Sequence, residues 1–171
     1  GMNRKAVIFD RDGTLNIDNG YTYKVEDLLW VDGAKDLIKY LNDLNYLVFV
    51  ATNQAGIAKA KYTEDDMHNF HNAMQKSLFN IGAHIDKFYY CPFHKDGINI
   101  RYKKDSEDRK PKTGMLEKIQ EEWRLDKNNL CFIGDSEKDI KCAENFNIPG
   151  YMYNGKDNLK NFFEKILINN K

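Results

Sequence analysis

Three short apolar runs, each stopping at a residue able to do chemistry, constrain this chain more than anything else in its sequence. Ala6-Val7-Ile8-Phe9 stops at Asp10, Tyr46-Leu47-Val48-Phe49-Val50-Ala51 at Thr52, and Leu130-Cys131-Phe132-Ile133 at Gly134-Asp135. Runs of this length are too short for a helix, and without polar alternation neither face can meet water. They are predicted to be central strands of a parallel sheet covered on both faces. Phe88-Tyr89-Tyr90-Cys91 and Gly150-Tyr151-Met152-Tyr153 are weaker strand candidates.

Between these runs the apolar spacing turns helical. Thr63 with Asp66 makes a capping-box-like start, and Met67, Phe70, His71, Met74, Leu78 and Ile81 follow along one face. Residues 34–44, 113–123, 136–146 and 159–167 read the same way. Strands alternating with helices fold as βαβ units, so the predicted class is α/β: a doubly wound, Rossmann-like parallel sheet with helices on both faces. Two segments escape the alternation, residues 15–32 and residues 92–112, and loops this long are functional or disordered. Neither is large enough to fold alone. Residues 1–171 are therefore expected to form a single domain with no separate cap.

In such sheets ligands gather beyond the carboxyl ends of the strands. The first strand delivers Asp10-Arg11-Asp12-Gly13-Thr14, the second Thr52-Asn53-Gln54, and the third strong run Gly134-Asp135 with Asp139 behind it; Arg109-Lys110 precedes a further helix. This set suits phosphoryl transfer. Asp10 and Asp135 can give Mg²⁺ the hard oxygen ligands it takes alongside substrate phosphate. Asp10 at a strand tip suits a nucleophile, Asp12 an acid and base, and Thr52 and Lys110 suit binding of the phosphoryl oxygens. Gly13 allows the sharp turn that brings backbone N–H groups near phosphate. Any one of these aspartates alone would read as a turn or cap residue; their joint placement at strand ends does not.

The charge balance limits the partners. With 26 Lys+Arg against 26 Asp+Glu the chain has no net charge to grip nucleic acid or an anionic membrane, and no apolar run is long enough to span one. Three scattered cysteines do not make a disulfide framework, and the N-terminus enters a strand too soon for a signal peptide. A cytoplasmic monomer is expected. Gly1 ahead of Met2 reads as a cloning remnant.

The segments Asp10-Arg11-Asp12-Gly13-Thr14, Thr52, Lys110 and Gly134-Asp135 resemble the four motifs of the haloacid dehalogenase-like phosphatases. Asp18-Asn19-Gly20-Tyr21, Thr52 through Ala58 and Arg109-Lys110-Pro111 resemble, within them, the subgroup of heptose bisphosphate and histidinol-phosphate phosphatases, with Gly56-Ile57-Ala58 closer to the heptose branch. The resemblance implies a Mg²⁺-dependent phosphatase of a small phosphorylated sugar, working through an aspartyl-phosphate. It implies that Asp10, Asp12 (by its backbone carbonyl) and Asp135 hold the metal. It further implies that Arg109 recognises the distal part of the substrate, and that Asp18, Asn19, Gly20, Tyr21, Asn53, Gln54 and Ala55 line the pocket. Asp139 is expected to orient Lys110 or a metal-bound water. The alternatives are another phosphomonoester, such as histidinol phosphate or a 3′-phosphorylated nucleic-acid end, and a non-catalytic phosphate-binding relative.

One departure stands out. The subgroup carries a structural zinc in the long loop, held by Cys-x-His and Cys-x-Cys; here Phe93 stands in place of the histidine, and Ser106 and Asp108 in place of the cysteines. Cys91, His94 and Asp108 would make only a poor three-ligand set, so zinc is expected to be absent. Cys131 and Cys142 read as inert core thiols, His68 and His71 as one surface and one core-facing histidine, and residues 168–171 as a frayed tail.

Overall fold

All five apolar segments become strands, and they pair exclusively in parallel. β1 (Ala6–Phe9), β2 (Leu47–Asn53), β3 (Lys87–Cys91), β4 (Leu130–Gly134) and β5 (Gly150–Met152) stand in the order β3-β2-β1-β4-β5. The computed structural model describes residues 4–169, so Gly1 and the last two residues of the expected tail lie outside it. β1 is the central strand, with Ile8 in register between Phe49 of β2 and Phe132 of β4. The chain winds outward from β1 to β3, then crosses back to begin again at β4. Strand order therefore reverses between β1 and β4, which is where a doubly wound sheet opens a crevice.

The helices are α1 (Ala34–Asp43), α2 (Glu64–Phe79), α3 (Gly114–Trp123), α4 (Glu137–Phe146) and α5 (Leu159–Asn169). Alternate strand residues go to opposite faces. Val7, Phe9, Val48, Val50 and Ile133 pack with Leu37, Ile38, Phe70, Met74 and Phe163 from α1, α2 and α5. Ala6, Ile8, Phe49, Ala51 and Phe132 pack with Leu116, Ile119, Cys142 and Phe146 from α3 and α4. Both faces of the strands are thus covered, as runs without polar alternation require.

Element ends differ from the periodicity in ways with physical causes. β2 continues through Thr52 and Asn53, because both still pair with β3. α2 stops at Phe79 rather than Ile81: Ala83 donates to the Leu78 carbonyl and Gly82 to the Phe79 carbonyl, with Gly82 at φ +72°, a Schellman closure that only a left-handed residue completes. Ile168 and Asn169, expected to fray, continue α5. No described helix is long and apolar enough to cross a membrane.

The two long segments do not hang free. A satellite cluster of Ile57, Ala58, Tyr62, Met67 and Tyr102 gathers Tyr23 from one and Phe93 from the other. The Ala58 carbonyl accepts from the backbone of Ile98 and Asn99 at 2.8 and 3.0 Å. The Glu64 carboxylate accepts from the Tyr90 and Tyr102 hydroxyls, each at 2.7 Å, and so ties α2 to β3 and to the loop.

Candidate active site

The chain keeps to the sheet for one residue past β1, the Asp10 amide donating to the Ile133 carbonyl of β4 at 3.0 Å. It then turns sharply, and the amides of Thr14, Leu15 and Asn16 all point at the Arg11 carbonyl. Gly13 makes this turn at φ +86°, and a Cβ there would lie 2.1 Å from an Asp135 carboxylate oxygen. A Cβ on Gly134 would lie 2.3 Å from Asp139 in the same way. Gly13 lets Asp135 approach from across the switch point, and Gly134 leaves room for Asp139 to fold back over the end of its own strand.

At the centre is the Lys110 ammonium, 3% exposed, 2.8 Å from Asp10 Oδ1 and 2.7 Å from Asp139 Oδ1. Asp139 is itself buried at the first turn of α4, its Oδ2 accepting from the Ser136 amide and hydroxyl. Lys110 is held from behind by Asn53, whose side-chain oxygen accepts from the Lys110 amide at 2.9 Å and whose nitrogen donates to the Lys110 carbonyl at 3.1 Å. Burial pulls the lysine downward, but the carboxylates of Asp10 and Asp139 outweigh it and hold the ammonium above its ordinary range. Burial drives the Asp10 carboxyl well above the usual carboxylate range; Lys110 opposes this, while Asp139 and the adjoining Asp135 add to it.

That imbalance tests whether a cation belongs here. Single oxygens of Asp10, Asp135 and Asp139 all lie within 4.8 Å of one another, and one ammonium, that of Lys110, meets two of the three carboxylates, Asp10 and Asp139. Both Asp139 oxygens are already spent on Lys110 and Ser136, and Asp135 Oδ1 accepts from the Thr14 hydroxyl at 3.2 Å. Asp10 and Asp135 thus bring hard oxygen donors close together without enough positive charge between them, which fits a small divalent ion such as Mg²⁺.

Asp12 is anchored differently. Its Oδ1 accepts from Arg11 Nε and Nη2 at 3.1 and 2.8 Å and from Asn16 Nδ2 at 2.9 Å. Its Oδ2 faces Gln54 Nε2 at 3.2 Å. The same Gln54 nitrogen donates to Thr52 Oγ1 at 2.9 Å, and Gln54 Oε1 accepts from the Tyr62 hydroxyl. With Thr52 Oγ1 already accepting, its own hydroxyl proton remains free to donate.

The residues predicted from sequence therefore separate into two groups. Asp10, Asp12, Thr52, Lys110 and Asp135 converge. Asn53 and Gln54, expected to line the pocket, spend their amides on Lys110, Thr52, Asp12 and Tyr62, and Gln54 is buried beneath the site. Asp18, Asn19, Gly20 and Tyr21 form an exposed tip, with Tyr21 under the Lys61 ammonium at 5.8 Å and beside the turn containing Ala55. Arg109 is half-buried, and its Nη1 is a buried donor without a partner among the described residues. Two cations that sequence reasoning missed adjoin it: burial, then Arg109, Lys110 and Lys59, push the Lys138 ammonium below its usual range. Lys59 follows the segment Gly56-Ile57-Ala58 and Lys138 lies far along the chain, so no local signal could have paired them.

In the long loop the zinc-ligand positions are spent otherwise. Phe93 joins two apolar clusters and lies under the Lys104 ammonium at 4.5 Å. The Cys91 thiol meets the Phe93 carbonyl at 3.8 Å, and burial pushes it upward. Asp108 pairs with Lys118 at 2.5 Å, its amide donating to Ser106 Oγ at 3.1 Å, and His94 Nδ1 accepts from the Asp96 amide. His71 is buried and His68 exposed, as expected; Cys142 is buried and Cys131 nearly so.

A family model described as polynucleotide kinase 3 phosphatase matches residues 5–161. A D-glycero-beta-D-manno-heptose-1,7-bisphosphate 7-phosphatase of Rhodopseudomonas palustris is 36% identical over 165 residues, spanning 96% of this chain and 91% of that protein. The D-glycero-alpha-D-manno-heptose-1,7-bisphosphate 7-phosphatase of Campylobacter jejuni is 43% identical over 147 residues, 86% of this chain and 80% of the relative. Among solved structures, the D,D-heptose 1,7-bisphosphate phosphatase of B. bronchiseptica, complexed with magnesium and phosphate, superposes with a TM-score of 0.85 at 23% identity. That match covers 96% of this chain and 99% of the other.

Proposed function

The chain belongs to the polynucleotide kinase 3 phosphatase family of haloacid dehalogenase-like phosphatases, and we propose that it is a cytoplasmic, monomeric enzyme that removes the 7-phosphate from D-glycero-D-manno-heptose 1,7-bisphosphate. The single observation that carries the chemistry is the Lys110 ammonium bridging Asp10 and Asp139 where the strand order reverses. The chain is a phosphoric monoester hydrolase, and its own residues suffice to divide the work.

Asp10 is the nucleophile. Its side chain is pinned through Oδ1 by Lys110, which leaves Oδ2 to approach phosphorus. As the new oxygen–phosphorus bond forms, the bond to the sugar oxygen breaks, and Asp12 gives that oxygen its proton. The same carboxylate then takes a proton from the water that cleaves the aspartyl-phosphate. Lys110 and the Thr52 hydroxyl hold the phosphoryl oxygens, preorganised and buried, where such contacts count for more than in water. Mg²⁺, bound by Asp10, Asp135 and the Asp12 carbonyl, would neutralise charge on the phosphoryl group. Arg109 with its free Nη1, supported by Lys59 and Lys138, binds the distal phosphate. The excursion after β1 stands in place of a cap and leaves the cleft open to a small phosphorylated substrate. The long loop holds no zinc.

The family model's own description favours a second substrate, a 3′-phosphorylated polynucleotide end, against which stands the balance of 26 basic and 26 acidic residues. Phosphate release from both anomers of heptose 1,7-bisphosphate, histidinol phosphate and a 3′-phosphorylated oligonucleotide, with and without Mg²⁺, separates them. One phosphate per bisphosphate is expected, with Mg²⁺ required. Faster turnover of the oligonucleotide would replace the sugar substrate, and no turnover of any would remove the activity.

A further inference from the structure

Arg11 has no part in the chemistry so far, yet it is the largest side chain among the fully buried ones described. A buried guanidinium is costly unless every donor is matched. Here each nitrogen is. Nε and Nη2 converge on Asp12 Oδ1, Nη2 also reaches the Thr22 carbonyl at 2.7 Å, and Nη1 lies 3.1 Å from His71 Nε2. The Phe70 ring covers the guanidinium at 4.6 Å. Arginine has no acceptor to offer, so His71 Nε2 must accept, and the imidazole is neutral. Burial, together with Arg11 and His68, keeps it so.

The consequence falls on Asp12. With Asn16 Nδ2 added, three N–H groups crowd onto Oδ1, whereas Oδ2 has a single long contact to Gln54. A carboxyl oxygen with both lone pairs taken by donors has no room for a proton of its own.

We propose that Arg11 is a positioning residue for proton transfer, saturating Oδ1 of Asp12 so that Oδ2 alone carries the proton given to the departing oxygen. The role rests on the phosphatase mechanism above. The O–H bond at Oδ2 breaks as the sugar oxygen leaves phosphorus and accepts that proton, and the carboxylate left behind is already paired with the guanidinium. The Thr22 carbonyl, next to Tyr21, ties the same guanidinium to the substrate-facing tip, so the acid and the tip are set by one side chain.

The test uses two leaving groups. An alkyl phosphate, such as the sugar bisphosphate, needs its oxygen protonated as it departs; p-nitrophenolate leaves p-nitrophenyl phosphate without a proton. In Arg11→Gln, kcat/KM for the alkyl phosphate should fall by about 10²-fold, the low end of general-acid contributions, while the aryl phosphate changes by less than about fivefold. The ratio of the two is taken on one protein sample, so a misfolded fraction cancels. If Arg11→Gln does not accumulate, the same ratio in Arg11→Lys, which keeps the charge but not the fork, decides: a selective loss of about tenfold supports the role. Equal losses on both substrates, or an unchanged ratio, overturn it while leaving the phosphatase intact. Failure of the wild-type enzyme to hydrolyse either substrate overturns the phosphatase and this role together.

Discussion

The switch point between β1 and β4 and the long loop after β3 are ordered by opposite means. At the switch point charge sets the geometry: a buried ammonium held between two carboxylates, a third carboxylate beside them, and a buried guanidinium behind. In the loop, order comes from apolar burial and backbone hydrogen bonds, with Phe93 and Tyr102 packed into clusters and the Ala58 carbonyl receiving two amides. A charged network fails when one member is removed, because the survivors stay buried and unpaired. A packed loop loses only the area of the side chain removed. The loop can therefore replace ligands with ordinary packing, and the switch point cannot.

The largest effect is expected from Asp10→Asn, which should lower phosphate release by at least about 10³-fold, since no other group can form the covalent intermediate. Turnover near the wild-type rate would remove Asp10 from the mechanism. Lys110→Ala should cost about 3–5 kcal/mol of stability, measured by denaturant unfolding, because Asp10 and Asp139 are left facing each other. A loss below about 1 kcal/mol, the scale of a surface pair, would show that the pair is not buried in solution and would break the contrast. In the loop, Phe93→Ala should cost only about 2 kcal/mol, less than a full core truncation, because the ring is partly exposed.

The loop also allows a constructive test. Wild-type protein washed with chelator should hold no stoichiometric zinc, whereas Phe93→His, Ser106→Cys and Asp108→Cys combined should hold one ion per chain by metal analysis. Zinc retained by the wild type would contradict the packing account.

The smallest effect concerns pH. His71 has its folded pKa pushed well below the ordinary value by burial, then by Arg11 and His68. Between the folded value and about 6.5 the unfolded chain binds a proton that the folded one does not, so stability rises with pH there and is lost as pH falls. From pH 7 to pH 5 the loss from this one group should reach up to about 2 kcal/mol, and His71→Gln should flatten it by that amount. An unchanged slope in the variant would mean that His71 is not held neutral.

Much of the molecule could be read along the chain. Apolar runs such as 6–9 and 130–133 announced buried strands because neither face could be wet, and their last residues announced the site because strand ends open onto the crevice. Asp139, one helical turn after Asp135 and expected to orient Lys110 or a metal-bound water, meets the Lys110 ammonium at 2.7 Å. Other features were not legible. Nothing near Arg11 says that its charge is buried, since its partners at Thr22 and His71 come from an excursion and a helix far along the chain. The family resemblance implies that Asn53 and Gln54 line the pocket; in the fold their amides brace Lys110, Thr52 and Asp12. Lys59, Arg109 and Lys138 share one field only after three segments are folded together.

By itself, the sequence determined the strands, the helices and the chemical character of each strand end, because periodicity and side-chain type are local properties. Only the tertiary structure decided which charges are buried against which. Desolvation and pairing depend on distances between segments the chain brings together from far apart, and those distances make Lys110 a bridge, Arg11 a clamp and the long loop a packed surface.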